Sequence, residues 1–150
     1  MKPVCLVIGA GAGIGGNVAD KFAAEGYHSY LCRRTDQKGL DTLIDNIEKK
    51  GGSASGSLIN AIEDNSLEEL IIDIEKNIGP IEVVVYNLGA QTGMKSLNQT
   101  TQKEFEWGWR IASLGLFRVA KVICPLMETR GKGVILVTSA TAAMRGNANQ

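Results

Sequence analysis

The chain has 150 residues, the length of one domain built around a single core. With 44% apolar and 21% charged residues and 18 glycines, it is too apolar for a disordered chain and too glycine-rich for a coiled coil. Its 16 basic and 16 acidic side chains cancel, so no basic excess exists to track a nucleic-acid backbone, and small molecules or protein surfaces are the expected partners.

The N-terminal residues Met1 to Val4 pass directly into an apolar run that ends in glycines after Ile8. That run is too short for a signal peptide or a membrane span, and a cytoplasmic, reducing location is expected. The first strand is predicted over Val4 to Ile8, continuously apolar as a strand covered on both faces should be. A glycine-rich turn follows. Ile14, Val18, Ala19, Phe22 and Ala23 then recur at spacings of three and four, the period of a helix, which Gly26 ends. The second strand is expected from about His28 to Cys32. Leu40, Leu43, Ile44 and Ile47 mark the next helix, stopped by Gly51 and Gly52.

A third strand is placed between Ser53 and Ile59, although Ser and Gly make poor strand interiors. Ser66 and Glu69 have capping-box spacing before a helix that carries Leu67, Leu70, Ile71 and Ile74. Gly79 and Pro80 end it, and Ile81 to Tyr86 reads as the fourth strand. Thr101 and Glu104 repeat the capping-box spacing at the start of a long, partly aromatic helical region reaching about Met127. Gly131 and Gly133 introduce a fifth strand, Val134 to Thr138. Strands alternating with helices in this way build an open, mainly parallel α/β sheet.

Cys5, Cys32 and Cys124 have neither metal-site spacing nor the even count of a disulfide scaffold, so they are read as reduced, mostly buried thiols. His28 is the sole histidine, which leaves no basis for a histidine triad or a multi-histidine metal centre; no metal is expected. Trp107 and Trp109 lie two apart and do not share a helix face, so either core packing or a partner surface could take them.

The candidate binding element is the turn Gly9-Ala10-Gly11-Ala12-Gly13-Ile14-Gly15 between the first strand and the first helix. Glycine permits a tight turn and close approach of the backbone to a pyrophosphate, and free N–H groups at a helix start favour negative charge. No Lys-Ser/Thr pair follows, which disfavours a P-loop. An NAD site calls for an acidic residue about twenty residues on, to bond the ribose hydroxyls. Arg33 and Arg34 stand there instead, and a guanidinium pairs with a 2′-phosphate, so NADP(H) is favoured over NAD(H). Asp36 close by leaves the choice partly open.

With these residues the chain resembles the short-chain dehydrogenases/reductases, over essentially its whole length but covering only the front part of that family's fold. Ile8 to Gly15 resembles the family's Thr-Gly-x-x-x-Gly-x-Gly, with Ile8 in place of Thr. Asn60 falls where an Asp contacts adenine. Tyr86-Asn87-Leu88-Gly89 resembles Asn-Asn-Ala-Gly, keeping Asn87 and Gly89. Ala112 occupies the place of an active-site Asn, with Ser113 adjacent. Ser139 matches the catalytic Ser at the end of the fifth strand, with Thr141 as a neighbouring alternative.

The resemblance implies a Rossmann-like doubly wound sheet of strand order 3-2-1-4-5-6-7, here ending after the fifth strand, which becomes an edge. It implies NAD(P)-linked hydride transfer on a carbonyl or alcohol substrate, with Ser139 bonding the substrate oxygen. A Tyr and a Lys four residues later complete the family's site; they fall just beyond Gln150, and Tyr27, Tyr30 and Tyr86 cannot replace them. The isolated chain is therefore expected to be inactive, and an intact protein to be a dimer or tetramer. A non-catalytic dinucleotide-binding or interaction protein is the competing reading, supported by Ala112 and Asn60. Arg145 and Asn147 are weighed as substrate contacts against residence in a surface loop.

Overall fold

The computed structural model describes residues 1–89 and 95–146. Five strands, β1 (Val4–Ile8), β2 (His28–Arg33), β3 (Ser53–Leu58), β4 (Ile81–Tyr86) and β5 (Val134–Val137), form one sheet in the order β3-β2-β1-β4-β5. Every neighbouring pair is parallel. The helices are α1 (Ile14–Ala24), α2 (Gln37–Lys49), α3 (Ser66–Asn77), α4 (Gln102–Trp109) and α5 (Gly115–Arg130).

Alternation along the strands divides the core in two. On one face Val4, Leu6, Ile8, Val84 and Tyr86 pack with Leu67, Ile71 and Ile74 of α3 and with Val119, Ile123 and Met127 of α5. On the other, Cys5, Val7, Leu31, Val83 and Val85 meet Ala19 and Ala23 of α1 and Leu40 and Ile47 of α2. The apolar run of β1 is thus explained: helices cover both of its faces, and all five residues are buried. Burial also pushes the Cys5 thiol up to about 12, and that of Cys32 further up, so both stay protonated.

The polar strand β3 has specific reasons for its composition. A side chain at Gly56 would collide with the Leu31 carbonyl and press on Leu40 of α2, so glycine lets the helix sit close. Ser53 and Ser55 sit at hydrogen-bond distance from His28 Nδ1 and Nε2, 2.8 and 2.7 Å respectively, which latches β3 to the start of β2. The histidine accordingly has a structural place at the end of the sheet where β2 and β3 begin.

Two expectations are corrected, for the start of α3 and for Cys124. Helix α3 has no Ser66–Glu69 box; Asn65 stands at the N-cap position with a left-handed backbone and no side-chain cap bond, and the Ser66 hydroxyl donates to the carbonyls of Asn60 and Glu63. The expected long helical region is present and unbroken, running from α4 through a π-helical segment at Arg110–Leu114 into α5. The Thr101–Glu104 box does start α4, each partner bonding the other's backbone N–H. Cys124 is exposed, since it lies on the side of α5 turned away from the sheet. Neither tryptophan enters the core: Trp107 is 38% and Trp109 50% exposed.

The π-helical segment has a physical cause. Tyr86 is fully buried at the end of β4, and its hydroxyl donates to the Ile111 carbonyl. Gly115 clears the space for that ring, because a β-carbon there would collide with the Tyr86 hydroxyl. Strand β5 is the sheet edge among the described residues, and Val134, Leu136 and Val137 are 44%, 43% and 49% exposed.

Two measurements check these packing arguments. Gly115→Ala should cost roughly 1–3 kcal/mol in chemical denaturation, as expected for overpacking against a pinned side chain; an unchanged midpoint would show that the Tyr86 strut is not rigid. Desolvation, and then the nearby Lys2, hold the His28 pKa below its ordinary 6.5. The unfolded chain therefore binds the proton more readily, and the stability contributed by neutral His28 is present above 6.5 and lost as pH falls toward the folded value. Stability followed between about pH 7 and 5 should decline less steeply in His28→Gln than in the parent.

Candidate functional site

Parallel register brings the carboxyl ends of the strands together. Ile8 pairs with Cys32 on one side and with Tyr86 on the other, and Tyr86 pairs with Val137. The glycine turn, Arg33, Asn87 and the segment holding Ser139 therefore all leave the sheet along one edge, where open α/β sheets place their ligands.

The turn is built by close contact. Gly9 has φ +96°, and a β-carbon on it would lie 2.6 Å from the Asn87 carbonyl oxygen. Gly15 packs on the Gly9 carbonyl so closely that a β-carbon would collide with it. Asn87 donates its side-chain N–H to that same Gly9 carbonyl at 2.9 Å, and its backbone N–H to Ile8 at 2.9 Å. Asn87 thus braces the turn from β4. Gly16, which sequence reasoning passed over, lets α1 close onto the Gly11 carbonyl; its own N–H donates there at 2.8 Å.

Gly11 and Gly13 do a different job. A β-carbon on either would meet nothing within 4 Å, so the surface above the turn is open. The backbone N–H groups of Ala12, Gly13, Ile14 and Gly15 have no acceptor among the described residues. Helix α1 has no side-chain cap and no acidic residue in its first turn. Four uncapped donors at a positive helix end, with room above them, suit a phosphate group.

Beside the turn lies a cleft of about 270 Å³. It is lined by Ile8 and Gly9, by Cys32, Arg33 and Arg34 at the end of β2, by Ile59 to Ile62 after β3, and by Leu88 and Gly89 after β4. Trp107 and Ile111 also line it. The Arg33 guanidinium pairs with Asp36 at 2.9 Å, while Arg34 makes no ion pair among the described residues. Asn60 donates its side-chain N–H to Glu63 at 2.9 Å, which leaves its amide oxygen available as an acceptor. A mainly apolar cleft that also carries two guanidinium groups and a free amide oxygen can take a ligand with an apolar ring and polar substituents.

Of the residues singled out from sequence, Gly9, Arg33, Arg34, Asn60 and Gly89 line the cleft. Gly11, Ala12, Gly13 and Ile14 form the adjoining helix start, and Gly15 and Asn87 shape the turn behind it. Ser139 is exposed, two residues beyond β5, and is not part of the cleft wall. Thr138 before it donates to the Tyr86 carbonyl at 3.0 Å, which ties this segment to the end of β4. Arg145 and Thr141 are also exposed; Asn147 lies outside the described residues. The lining contributed by Trp107 and Ile111 was missed, although their spacing of four is the signal that they share a helix face.

Comparison with known proteins places this geometry. A sequence model of the family described as short chain dehydrogenase matches residues 3–150. The chain is 27% identical over 144 residues to 7α-hydroxysteroid dehydrogenase of Escherichia coli, covering 96% of this chain and 55% of that protein. It is 26% identical over 147 residues to 3-oxoacyl-[acyl-carrier-protein] reductase of Thermotoga maritima, covering 98% and 59%. Among solved structures, 7α-hydroxysteroid dehydrogenase complexed with NADH and 7-oxo glycochenodeoxycholic acid superposes with TM-score 0.89 at 26% identity, over 98% of this chain and 56% of the other. The alcohol dehydrogenase of Thermococcus sibiricus complexed with 5-hydroxy-NADP gives TM-score 0.88 at 25% identity, over 98% and 62%. The chain thus spans less than two thirds of the length of these relatives.

Proposed function

The chain belongs to the short-chain dehydrogenase family, and on that premise we propose that it binds NADP(H) in preference to NAD(H) for hydride transfer between the cofactor and a carbonyl or alcohol substrate. The observation that carries the reading is the uncapped, acid-free start of α1 beside a cleft rimmed by Arg33 and Arg34. Family membership favours this oxidoreductase over a purely binding role.

In this reading the N–H groups of Ala12 to Gly15 hold the pyrophosphate, and Gly11 and Gly13 give it room. Asn60 offers its amide oxygen to the adenine amino group, with Trp107 and Ile111 also lining the cleft. Arg33 and Arg34 face the ribose end, where a 2′-phosphate distinguishes NADP(H) from NAD(H). Neighbours of known structure hold NADH in one case and an NADP analogue in another, so the choice lies with residues at this rim. Gly89 continues the cleft toward the nicotinamide.

When bound, the cofactor supplies the hydride chemistry. The chain's own contribution is orientation, together with Ser139, whose hydroxyl would donate to the substrate oxygen as charge develops there. In the family a Tyr and a Lys handle the proton, and no Tyr followed four residues later by Lys occurs in residues 1–150. Among the described residues no helix is long and apolar enough to cross a membrane. The reading places the protein in the cytoplasm. The exposed Phe105, Trp109 and Phe117 on α4 and α5 supply an apolar face on which an intact protein would form a dimer or tetramer.

Two outcomes are expected. Calorimetry on the purified chain should detect both NADPH and NADH, with NADPH the tighter. Replacing Arg33 and Arg34 together by Ala should weaken NADPH by at least roughly tenfold and NADH much less; equal losses would sink the assigned preference. In a longer form carrying the Tyr and Lys, Ser139→Ala should lower kcat by roughly a hundredfold with cofactor affinity retained. Undiminished turnover would move the role to Thr141.

A further inference from the structure

Resting on the dinucleotide reading of the cleft, we propose that Asp36 sets how strongly this site prefers a 2′-phosphate. It does so by holding Arg33 in an ion pair, which leaves Arg34 as the cation that meets the phosphate.

Asp36 stands between β2 and α2 with φ 72°, in the left-handed region that a non-glycine residue seldom occupies. The conformation lets its carboxylate serve two partners at once. One oxygen, Oδ1, accepts from the Gly39 N–H at 2.9 Å and caps α2; the other, Oδ2, meets Arg33 Nη2 at 2.9 Å. Gly39 makes room for this arrangement, since a β-carbon there would collide with both the Arg33 guanidinium and the Asp36 carboxylate. Helix cap, ion pair and glycine thus converge on one small volume. Of the pair, only Arg33 lines the cleft; its side chain is 19% exposed against 54% for Asp36.

The consequence is a rim with two guanidinium groups but one already neutralised. A 2′-phosphate approaching Arg33 must share its guanidinium with a carboxylate that already holds it. A ribose 2′-hydroxyl does not suffer this penalty. Asp36 is therefore a positioning residue: it acts on the nucleotide through Arg33 and lowers the selectivity that two unpaired arginines would give.

Asp36→Asn separates this role from the cap. Asn keeps an oxygen for the Gly39 N–H and tolerates positive φ, but carries no charge. Calorimetry with adenosine 2′,5′-bisphosphate and with AMP, on the purified chain, measures the preference as a ratio. The variant is expected to raise that ratio roughly fivefold, the size of a partly exposed ion pair. In an Arg33→Ala background the same substitution is expected to leave the ratio unchanged, which a merely structural role would not produce. A ratio unaltered by Asp36→Asn, with both nucleotides still bound, would overturn the proposal and leave the cleft assignment standing. A rise that persists without Arg33 would also overturn it, because the carboxylate would then act directly on the phosphate. If the parent chain binds neither nucleotide, the cleft assignment fails and the proposal with it.

Discussion

The site depends on how closely the first turn can approach the end of β4. Gly9 sits against the Asn87 backbone with no room for a side chain, and Asn87 returns a hydrogen bond to the Gly9 carbonyl at 2.9 Å. That carbonyl also faces Gly15, so one peptide group is held between two elements. A looser contact would let α1 shift relative to the sheet, and with it the four N–H groups at its start that have no acceptor among the described residues. The central position of β1, buried on both faces, keeps the turn from moving as a whole.

Those features were readable from sequence because each leaves a local trace. A five-residue apolar run, glycines at fixed offsets and a helical repeat of Ile14, Val18 and Phe22 specify strand, turn and helix without tertiary knowledge. Strand boundaries agree to within one residue for the same reason: β1 and β4 are bounded by glycine and proline or by the turn itself. Even β3, which breaks the usual strand composition, falls within the expected segment Ser53 to Ile59, directly after the Gly51-Gly52 stop of the preceding helix.

What sequence did not reveal is interaction between residues far apart. The π-helical segment between α4 and α5 follows from Tyr86, some 25 positions earlier, whose hydroxyl takes the Ile111 carbonyl out of regular helical pairing. Likewise, Ser66 has the right spacing for a cap, yet its hydroxyl closes the loop after β3, and Asn65 is free to take the left-handed backbone that starts the helix. Spacing alone cannot choose between a cap and a loop closure. Arg33 and Arg34 look equivalent as letters; the Asp36 side chain makes them unequal.

The same reasoning bears on why Tyr86 stands where the family resemblance implies an asparagine. Burial pushes its phenol up to about 12, so the hydroxyl remains a donor across the physiological range and its bond to the Ile111 carbonyl persists. Ile111 and Trp107 line the same cleft as Arg33 and Arg34. One side chain at the end of β4 therefore holds the Ile111 carbonyl, while the next residue, Asn87, braces the glycine turn. Tyr86 ends β4 and Asn87 follows it directly, so the bond to the Ile111 carbonyl and the brace on the glycine turn start from neighbouring residues of one backbone.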